Sequence, residues 1–114
     1  MRHSEGWLDL RHSAARGTSH LYTQSWQPDG EARAAIILVH GLGEHSGRYA
    51  YLAKHCTDRG FAVHALDHYG HGKSDGQPGY VERFSVYLDG VRALLERVQQ
   101  EEPEMPLFLL GHSM

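Results

Sequence analysis

A serine near the end of the chain stands in a pattern typical of a catalytic nucleophile. An apolar run, residues 107–110, leads into Gly111-His112-Ser113-Met114. A buried strand that runs into G-x-S-x is typical of a sharp strand-to-helix turn, which presents the serine hydroxyl above a parallel sheet. Small residues beside the serine are needed because this turn strains the backbone and packs it closely against its neighbours. We therefore expect Ser113 to be the nucleophile of a covalent reaction.

A loop earlier in the chain, the glycine loop (residues 40–45), supplies a second part of the same chemistry. A serine that attacks a carbonyl group needs N–H donors that stabilise the oxyanion. The residue after the nucleophile, here Met114, provides the first donor through its backbone N–H. In the glycine loop, glycines on both sides of Leu42 allow the backbone to turn the Leu42 N–H inward. We expect Leu42 and Met114 to form the oxyanion hole.

Three long segments then stand in a fixed order: HGLGEHSGRY (40–49), DHYGHGKSDGQPGYV (67–81) and FLLGHSM (108–114). Together they resemble the monoacylglycerol lipase and lysophospholipase branch of the α/β-hydrolase superfamily, and the resemblance covers the chain from about residue 5 onward. It implies a serine hydrolase that cleaves carboxylic esters, with single-chain glycerides or lysolipids as substrates. It implies no cofactor and no metal.

The resemblance also assigns roles to individual residues. Ser113 matches the nucleophile of the family, and Leu42 and Met114 match its two oxyanion-hole positions. Positions that shape the hole in a supporting role are matched by His40, Gly41, Gly43, Glu44 and His45. A structural loop beside the site is matched by Asp67, Gly70, Gly72 and Ser74.

The acid and the base of a catalytic triad have no good candidates among these residues. In this fold the triad members follow the order Ser, then Asp or Glu, then His. All ten histidines precede Ser113, and alternation along the strand points the side chain of His112 elsewhere. Without its base, a triad enzyme keeps only the small rate supplied by the oxyanion hole and substrate binding. We expect an active parent enzyme, whereas residues 1–114 alone are a non-catalytic fragment truncated after G-x-S-x.

Dinucleotide binding is an alternative interpretation of the glycine loop. Residues 41–43 resemble the first half of a Rossmann turn, with Gly47 as a displaced third glycine and Asp67 placed for a ribose hydroxyl. Against this interpretation, Glu44 and His45 would lie close to a pyrophosphate. Two predicted strands also precede the supposed first βαβ unit.

The composition excludes several classes of partner. No run of Lys or Arg exceeds one residue and the net charge is −3, which argues against nucleic-acid binding. The longest strongly apolar stretch, residues 34–39, is far shorter than the ~20 residues of a transmembrane helix. No secretory signal is visible and Cys56 is the single cysteine, so we expect a cytoplasmic protein. His64, His68 and His71 lie close together, but without a metal-binding pattern we expect no metal site there.

The elements that must position these residues follow the pattern of an α/β fold. Residues 5–11 and 18–26 are predicted to pair as antiparallel strands. Three further strands are predicted over residues 34–39, 61–66 and 107–110, with helices over residues 47–60 and 84–101 between them. Strands that alternate with helices imply right-handed crossovers and a parallel sheet. We therefore expect the N-terminal half of an α/β-hydrolase fold, a mostly parallel sheet with two crossover helices, as one partial domain over residues 1–114.

Two details of the predicted helices can be compared directly with the structure. Ser46 is placed to cap the first helix with its hydroxyl. The buried stripe of the second helix is predicted to contain Tyr87, Leu88, Val91, Leu94, Leu95 and Val98.

Overall fold

The computed structural model describes residues 1–11, 17–81 and 83–112 of the chain. Ser113 and Met114 lie outside the described residues. The elements in chain order are β1 (Arg2–Arg11), β2 (Thr18–Gln27), β3 (Ala34–Val39), α1 (Ala50–Asp58), β4 (Phe61–Leu66), α2 (Ser85–Glu101) and β5 (Leu107–Gly111). A short 3-10 turn, Ser46–Tyr49, precedes α1.

The strands form one mixed sheet in the order β1-β2-β4-β3-β5. β1 and β2 make the predicted antiparallel hairpin, and β2 is also antiparallel to β4. β3 is parallel to both β4 and β5, as expected for strands that are joined by crossover helices. The fold class predicted from the sequence is therefore confirmed.

Apolar side chains fill the space on both faces of the sheet. On the face covered by α2, Leu21, Ile37 and Leu66 pack among the core residues. On the opposite face Leu38 packs with Trp26 beneath α1. Successive side chains of a strand point to opposite faces, so Ile37 and Leu38 are both buried although they are adjacent. β3 is an uninterrupted apolar run in the sequence because both of its faces are covered.

The start of α1 differs from the prediction. The α-helix begins only at Ala50, and Ser46 is not its cap. The Ser46 hydroxyl accepts a hydrogen bond from Gln24 Nε2 at 2.7 Å, and the Ser46 N–H donates to Asp67 Oδ1 at 2.7 Å. Ser46 is thus buried against the sheet and the loop after β4, so its hydroxyl is not available to the helix.

The buried stripe of α2 is confirmed in part. Tyr87, Leu94 and Val98 are buried, but Leu88 is 52% exposed, so this part of the prediction is wrong. The helix instead approaches the sheet at Gly90, where an added Cβ would lie 2.9 Å from a leucine side chain of β2. Residues two apart do not share a helix face, so with Gly90 against the sheet Leu88 points away from it.

β5 is formed as predicted, but its side chains are not buried. The exposed fractions are 59% for Phe108, 65% for Leu109 and 41% for Leu110. Among the described residues β5 pairs with β3 alone, and it lies at the edge of the sheet. Neither α1 nor α2, nor any other helix in the described part of the chain, has the length and apolar character needed to cross a membrane.

Candidate active site

Three loops meet at one edge of the sheet. β3, β4 and β5 are parallel neighbours, so their carboxyl ends lie side by side. The glycine loop follows β3, the β4 loop (residues 67–74) follows β4, and His112 follows β5 directly. This edge is where open α/β sheets bind their ligands.

The backbone amides of the glycine loop are held in one conformation. Gly41 N–H donates to the side-chain Oε1 of Glu44 at 2.9 Å, and Glu44 N–H donates back to Gly41 O at 3.1 Å. Gly43, with φ of +80°, donates its N–H to His71 Nε2 at 3.0 Å. Leu42 N–H has no acceptor among the described residues. One donor of this loop is therefore left for a ligand oxygen.

Three histidines tie the glycine loop to the β4 loop. His40 Nδ1–H donates to Gly41 O at 2.7 Å, and His40 Nε2 accepts the backbone N–H of His68 at 2.9 Å. His68 Nε2–H donates to His40 O at 3.1 Å. His71 donates from Nδ1 to Tyr69 O at 3.0 Å, which leaves its Nε2 free to accept the Gly43 N–H. His40 and His71 therefore each need one bare and one protonated nitrogen, the pattern of the neutral form.

Burial favours this neutral form. It lowers the pKa of His40, and it lowers the pKa of His68 to about 4, with the neighbouring His40 acting in the same direction. The His68 Nδ1 atom is buried and has no partner among the described residues. His64, which the sequence groups with these histidines, lies apart from them on β4. Its Nδ1 contacts Ser25 Oγ at 2.7 Å.

Asp67 is a structural residue of the β4 loop. It is 2% exposed, and its Oδ1 and Oδ2 accept backbone N–H groups of Ser46 at 2.7 Å and Lys73 at 2.9 Å. Its backbone carbonyl accepts the Ser74 hydroxyl at 2.5 Å. Asp67 is thus buried and bonded within the fold, which argues against the ribose-binding role that the dinucleotide interpretation gives it.

Glu44 is the centre of a second set of contacts, which reaches the end of β5. Its Oε1 accepts from Gly41 N–H, from the Tyr49 hydroxyl at 2.6 Å and from His112 Nδ1 at 3.0 Å. Its Oε2 pairs with Arg48 at 2.7 Å. The Tyr49 hydrogen bond, followed by those of His112 and Gly41, lowers the pKa of Glu44 to about 2. Glu44 is therefore an ionised carboxylate that links the glycine loop to β5.

The structure thus gathers most of the residues that the sequence singled out. Gly41, Gly43 and Glu44 hold the loop, and Leu42 is exposed beside them. His45 is exposed, and its carbonyl accepts the Arg48 N–H at 3.2 Å. The roles of Ser113 and Met114 remain predictions because both residues lie outside the described part of the chain.

The sequence did not indicate the roles of His71, Tyr49 and His112. His71 and Gly43 are 28 residues apart, and His112 and Glu44 are 68 apart. No periodicity connects residues at these separations, so only the shared sheet edge brings them together. The alternation of strands and helices, which predicts a parallel sheet, is the sequence signal that could have suggested that these loops meet.

Comparisons with known proteins agree with this fold. The sequence model of the family described as "Serine aminopeptidase, S33" matches residues 30–114. Human monoglyceride lipase is 41% identical over 108 residues, which are 95% of this chain and 36% of that protein. The chain therefore spans little more than a third of the curated relatives that it matches first.

Two solved structures extend the comparison. The monoacylglycerol lipase of Paleococcus ferrophilus aligns with a TM-score of 0.65 and 39% identity, over 82% of this chain and 33% of that one. A thermostable carboxyl esterase from Bacillus coagulans, in complex with glycerol, aligns with a TM-score of 0.79 and 27% identity, over 96% of this chain and 36% of that one. The family match, which includes the glycine loop, the β4 loop and the G-x-S-x segment, shows that the chain belongs to the serine aminopeptidase S33 family of α/β-hydrolases.

Proposed function

We propose that this chain supplies the nucleophile and the oxyanion hole of a serine hydrolase that cleaves carboxylic esters. The observation that carries the proposal is the unpaired N–H of Leu42, held beside the strand that leads to Ser113. In the glycine loop the neighbouring amides of Gly41 and Gly43 are occupied by side chains. A loop arranged in this way presents one donor to an incoming oxygen, as an oxyanion hole requires.

The reaction follows an acyl-enzyme course. A base takes the proton of the Ser113 hydroxyl while Oγ forms a bond to the ester carbonyl carbon. The N–H groups of Leu42 and Met114 bind the resulting oxyanion. The bond from carbon to the alcohol oxygen then breaks, and the base returns the proton to the leaving alcohol. Water attacks the acyl-enzyme in the same manner and releases the carboxylic acid.

The acid and base of this triad are provided by residues outside 1–114, since the order Ser, Asp or Glu, His places them after Ser113. Residues 1–114 alone are accordingly inactive in this proposal. His40 and His71 are not the base in this proposal, because each uses both ring nitrogens to hold a loop, and His68 is buried with its Nε2–H bonded to His40 O.

Single-chain lipid esters, namely monoacylglycerols and lysophospholipids, are the proposed substrates. For monoacylglycerols the support comes from relatives: human monoglyceride lipase and the Paleococcus ferrophilus monoacylglycerol lipase are named for that substrate. The Bacillus coagulans esterase was solved with glycerol, the alcohol that such a reaction releases from a monoacylglycerol. No cofactor takes part in this mechanism.

Turnover of a substrate series by the full-length protein tests the proposal. We expect hydrolysis of a monoacylglycerol and of a lysophospholipid, with release of the fatty acid, and loss of both activities in Ser113→Ala. The variant must keep the circular dichroism spectrum and melting temperature of the unmodified protein, since the change is confined to one hydroxyl. Retained turnover in a folded Ser113→Ala variant would refute the assignment.

A further inference from the structure

We propose that Glu44 is a positioning residue, which fixes the nucleophile-bearing end of β5 against the glycine loop through His112. The inference rests on the proposed function and deepens it, because it names the group that keeps nucleophile and oxyanion donor in one geometry. Glu44 does not touch the substrate in this role. It acts through the backbone of the glycine loop on one side and through the residue before Ser113 on the other.

One oxygen of Glu44 joins three separate segments. Oε1 accepts from Gly41 N–H at 2.9 Å, from Tyr49 Oη at 2.6 Å and from His112 Nδ1 at 3.0 Å. These groups belong to the glycine loop, to the 3-10 turn before α1, and to the residue that follows β5. An ionised carboxylate only accepts hydrogen bonds, so Glu44 can face three donors without placing a donor against a donor. The Glu44 side chain is 9% exposed, so few water molecules compete for it.

The hydrogen positions follow from this geometry. The Tyr49 hydroxyl has one proton, and it donates that proton to Glu44. His112 Nδ1 also lies 2.9 Å from Tyr49 Oη, so both of its neighbours are acceptors and Nδ1 must carry a proton. The backbone N–H of His112 donates to Val39 O at 3.1 Å. His112 is therefore held by its ring and by its backbone, one residue before Ser113.

Arg48 completes the arrangement on the other carboxylate oxygen. Its Nη1 lies 2.7 Å from Glu44 Oε2, and the Arg48 side chain is 67% exposed. The guanidinium balances the charge without occupying Oε1. Arg48 thus leaves Oε1 to Gly41, Tyr49 and His112. Hydrogen bonds from these three donors favour the ionised carboxylate of Glu44.

The contacts of Glu44 with the glycine loop and with His112 matter because catalysis is sensitive to small displacements of the reacting groups. A nucleophile misplaced by about 1 Å costs about a hundredfold in rate. β5 leads directly to the residue proposed as the nucleophile, so its placement against the glycine loop is the part of this geometry that Glu44 can affect. Backbone hydrogen bonds to β3 hold β5 and the N–H of His112, and the contact with Glu44 adds a hold on the His112 side chain.

Kinetics of the full-length protein with p-nitrophenyl acetate test the inference, since this substrate has no glycerol or phosphate group for Glu44 or Arg48 to bind. We expect Glu44→Ala and His112→Ala each to lower kcat by about ten- to a hundredfold with little change in KM. Glu44→Gln keeps an acceptor at Oε1, and His112→Asn keeps a donor near Nδ1, so both should recover most of the loss. Asp58→Ala, which removes a carboxylate from an exposed ion pair with Lys54, is the matched control.

The double variant distinguishes a shared network from two unrelated effects. If Glu44 acts through His112, Glu44→Ala with His112→Ala should lose little more than either single variant. Additive losses, or a Glu44→Ala variant that keeps its kcat, would overturn the inference. If Glu44→Ala does not fold, the pair Glu44→Gln and His112→Asn still decides it, because loss of kcat in both folded variants would contradict the geometry. An inactive unmodified protein would overturn the proposed function, and with it this inference.

Discussion

Glycine is required at position 72 because of its contact with Asp67. The φ of Gly72 is +50°, and an added Cβ would lie 2.2 Å from Asp67 Oδ2. That oxygen accepts the Lys73 N–H, and its partner oxygen accepts the Ser46 N–H. A side chain at position 72 would therefore displace the carboxylate that connects the β4 loop with the turn before α1.

Replacement of Gly72 by alanine is expected to lower the free energy of unfolding by about 3 kcal/mol or more, since strain and collision add. Gly79→Ala is the matched control: its φ is +71° but nothing lies within 4 Å of the added Cβ. That variant carries only the backbone strain, of about 1–2 kcal/mol. Urea denaturation of the full-length protein measures both, and equal losses would show that the contact with Asp67 is unimportant.

Leu42 acts through its backbone in this account, so its N–H can be tested without changing its side chain. Replacing the amide by an ester, by incorporating the 2-hydroxy analogue of leucine, removes one oxyanion donor. We expect kcat to fall about 10²–10³-fold, as for other oxyanion-hole donors. The same replacement at Glu31, an exposed residue between β2 and β3, should leave kcat unchanged. A normal rate in the Leu42 ester would remove Leu42 from the oxyanion hole.

The sequence indicated the residues of the glycine loop but not their partners. The glycines and the following Glu44 form a recognisable motif, because a tight turn needs particular residue types at adjacent positions. Their hydrogen-bond partners His71 and His112 lie on other loops. Such partners depend on which strands are neighbours, and local pattern does not contain that information.

At the scale of elements, the two loops after β3 and β4 are joined by hydrogen bonds to bare imidazole nitrogens. His40 Nε2 accepts the His68 N–H, and His71 Nε2 accepts the Gly43 N–H. A proton on His40 Nε2 would place a donor against a donor, and burial lowers the pKa of His40. Acid should therefore loosen the glycine loop as well as the fold around it.

Stability is expected to fall as the pH falls from about 6.5 to 4. The pKa of His68 is lowered from 6.5 to about 4, so the unfolded chain binds a proton in this window that the folded chain does not. The stabilising contribution of the neutral, buried His68 is fully present above pH 6.5 and is lost towards pH 4. His64, whose pKa is also lowered to about 4 by burial, contributes in the same sense.

Urea midpoints of the full-length protein across this pH range test the prediction. His68→Gln should show a shallower decline, because one buried imidazole no longer titrates. His55→Gln, at an exposed position of α1, should keep the slope of the unmodified protein. An unchanged slope in His68→Gln would show that the imidazole is not held neutral by the fold.

The elements were predicted well where a pattern depends on burial alone. The apolar runs of β3 and β4, and the burial of Tyr87, Leu94 and Val98 in α2, follow from which faces are covered. The start of α1 was predicted less well because Ser46 is drawn into contacts with Gln24 and Asp67. These tertiary contacts outweigh the local preference of serine for a helix cap.

For the molecule as a whole, β5 is the most exposed apolar feature of the described sheet. Phe108 and Leu109 point to opposite faces of an edge strand, and both are more than half exposed. Exposed apolar edges favour association between chains. We therefore expect a polypeptide of residues 1–114 to self-associate.

Sedimentation velocity tests this expectation on that polypeptide. Replacing Phe108 and Leu109 by lysine should shift the distribution towards monomer, because charged residues at an edge oppose pairing. Tyr51→Lys, at a residue of α1 that is 76% exposed, is the control and should leave association unchanged. A monomeric unmodified polypeptide with a sharp cooperative melt would contradict the prediction.

The central claim is that Ser113 is the nucleophile of an ester hydrolase, and covalent labelling tests it most directly. The full-length protein is treated with a p-nitrophenyl alkylphosphonate, in which Ser113 Oγ would displace p-nitrophenolate from phosphorus. Peptide mass spectrometry then identifies the modified residue while ester hydrolysis is followed in parallel. We predict one adduct per chain, on Ser113, with hydrolysis lost in proportion to labelling. Full inactivation with Ser113 unmodified, or full modification of Ser113 with hydrolysis retained, would contradict the account.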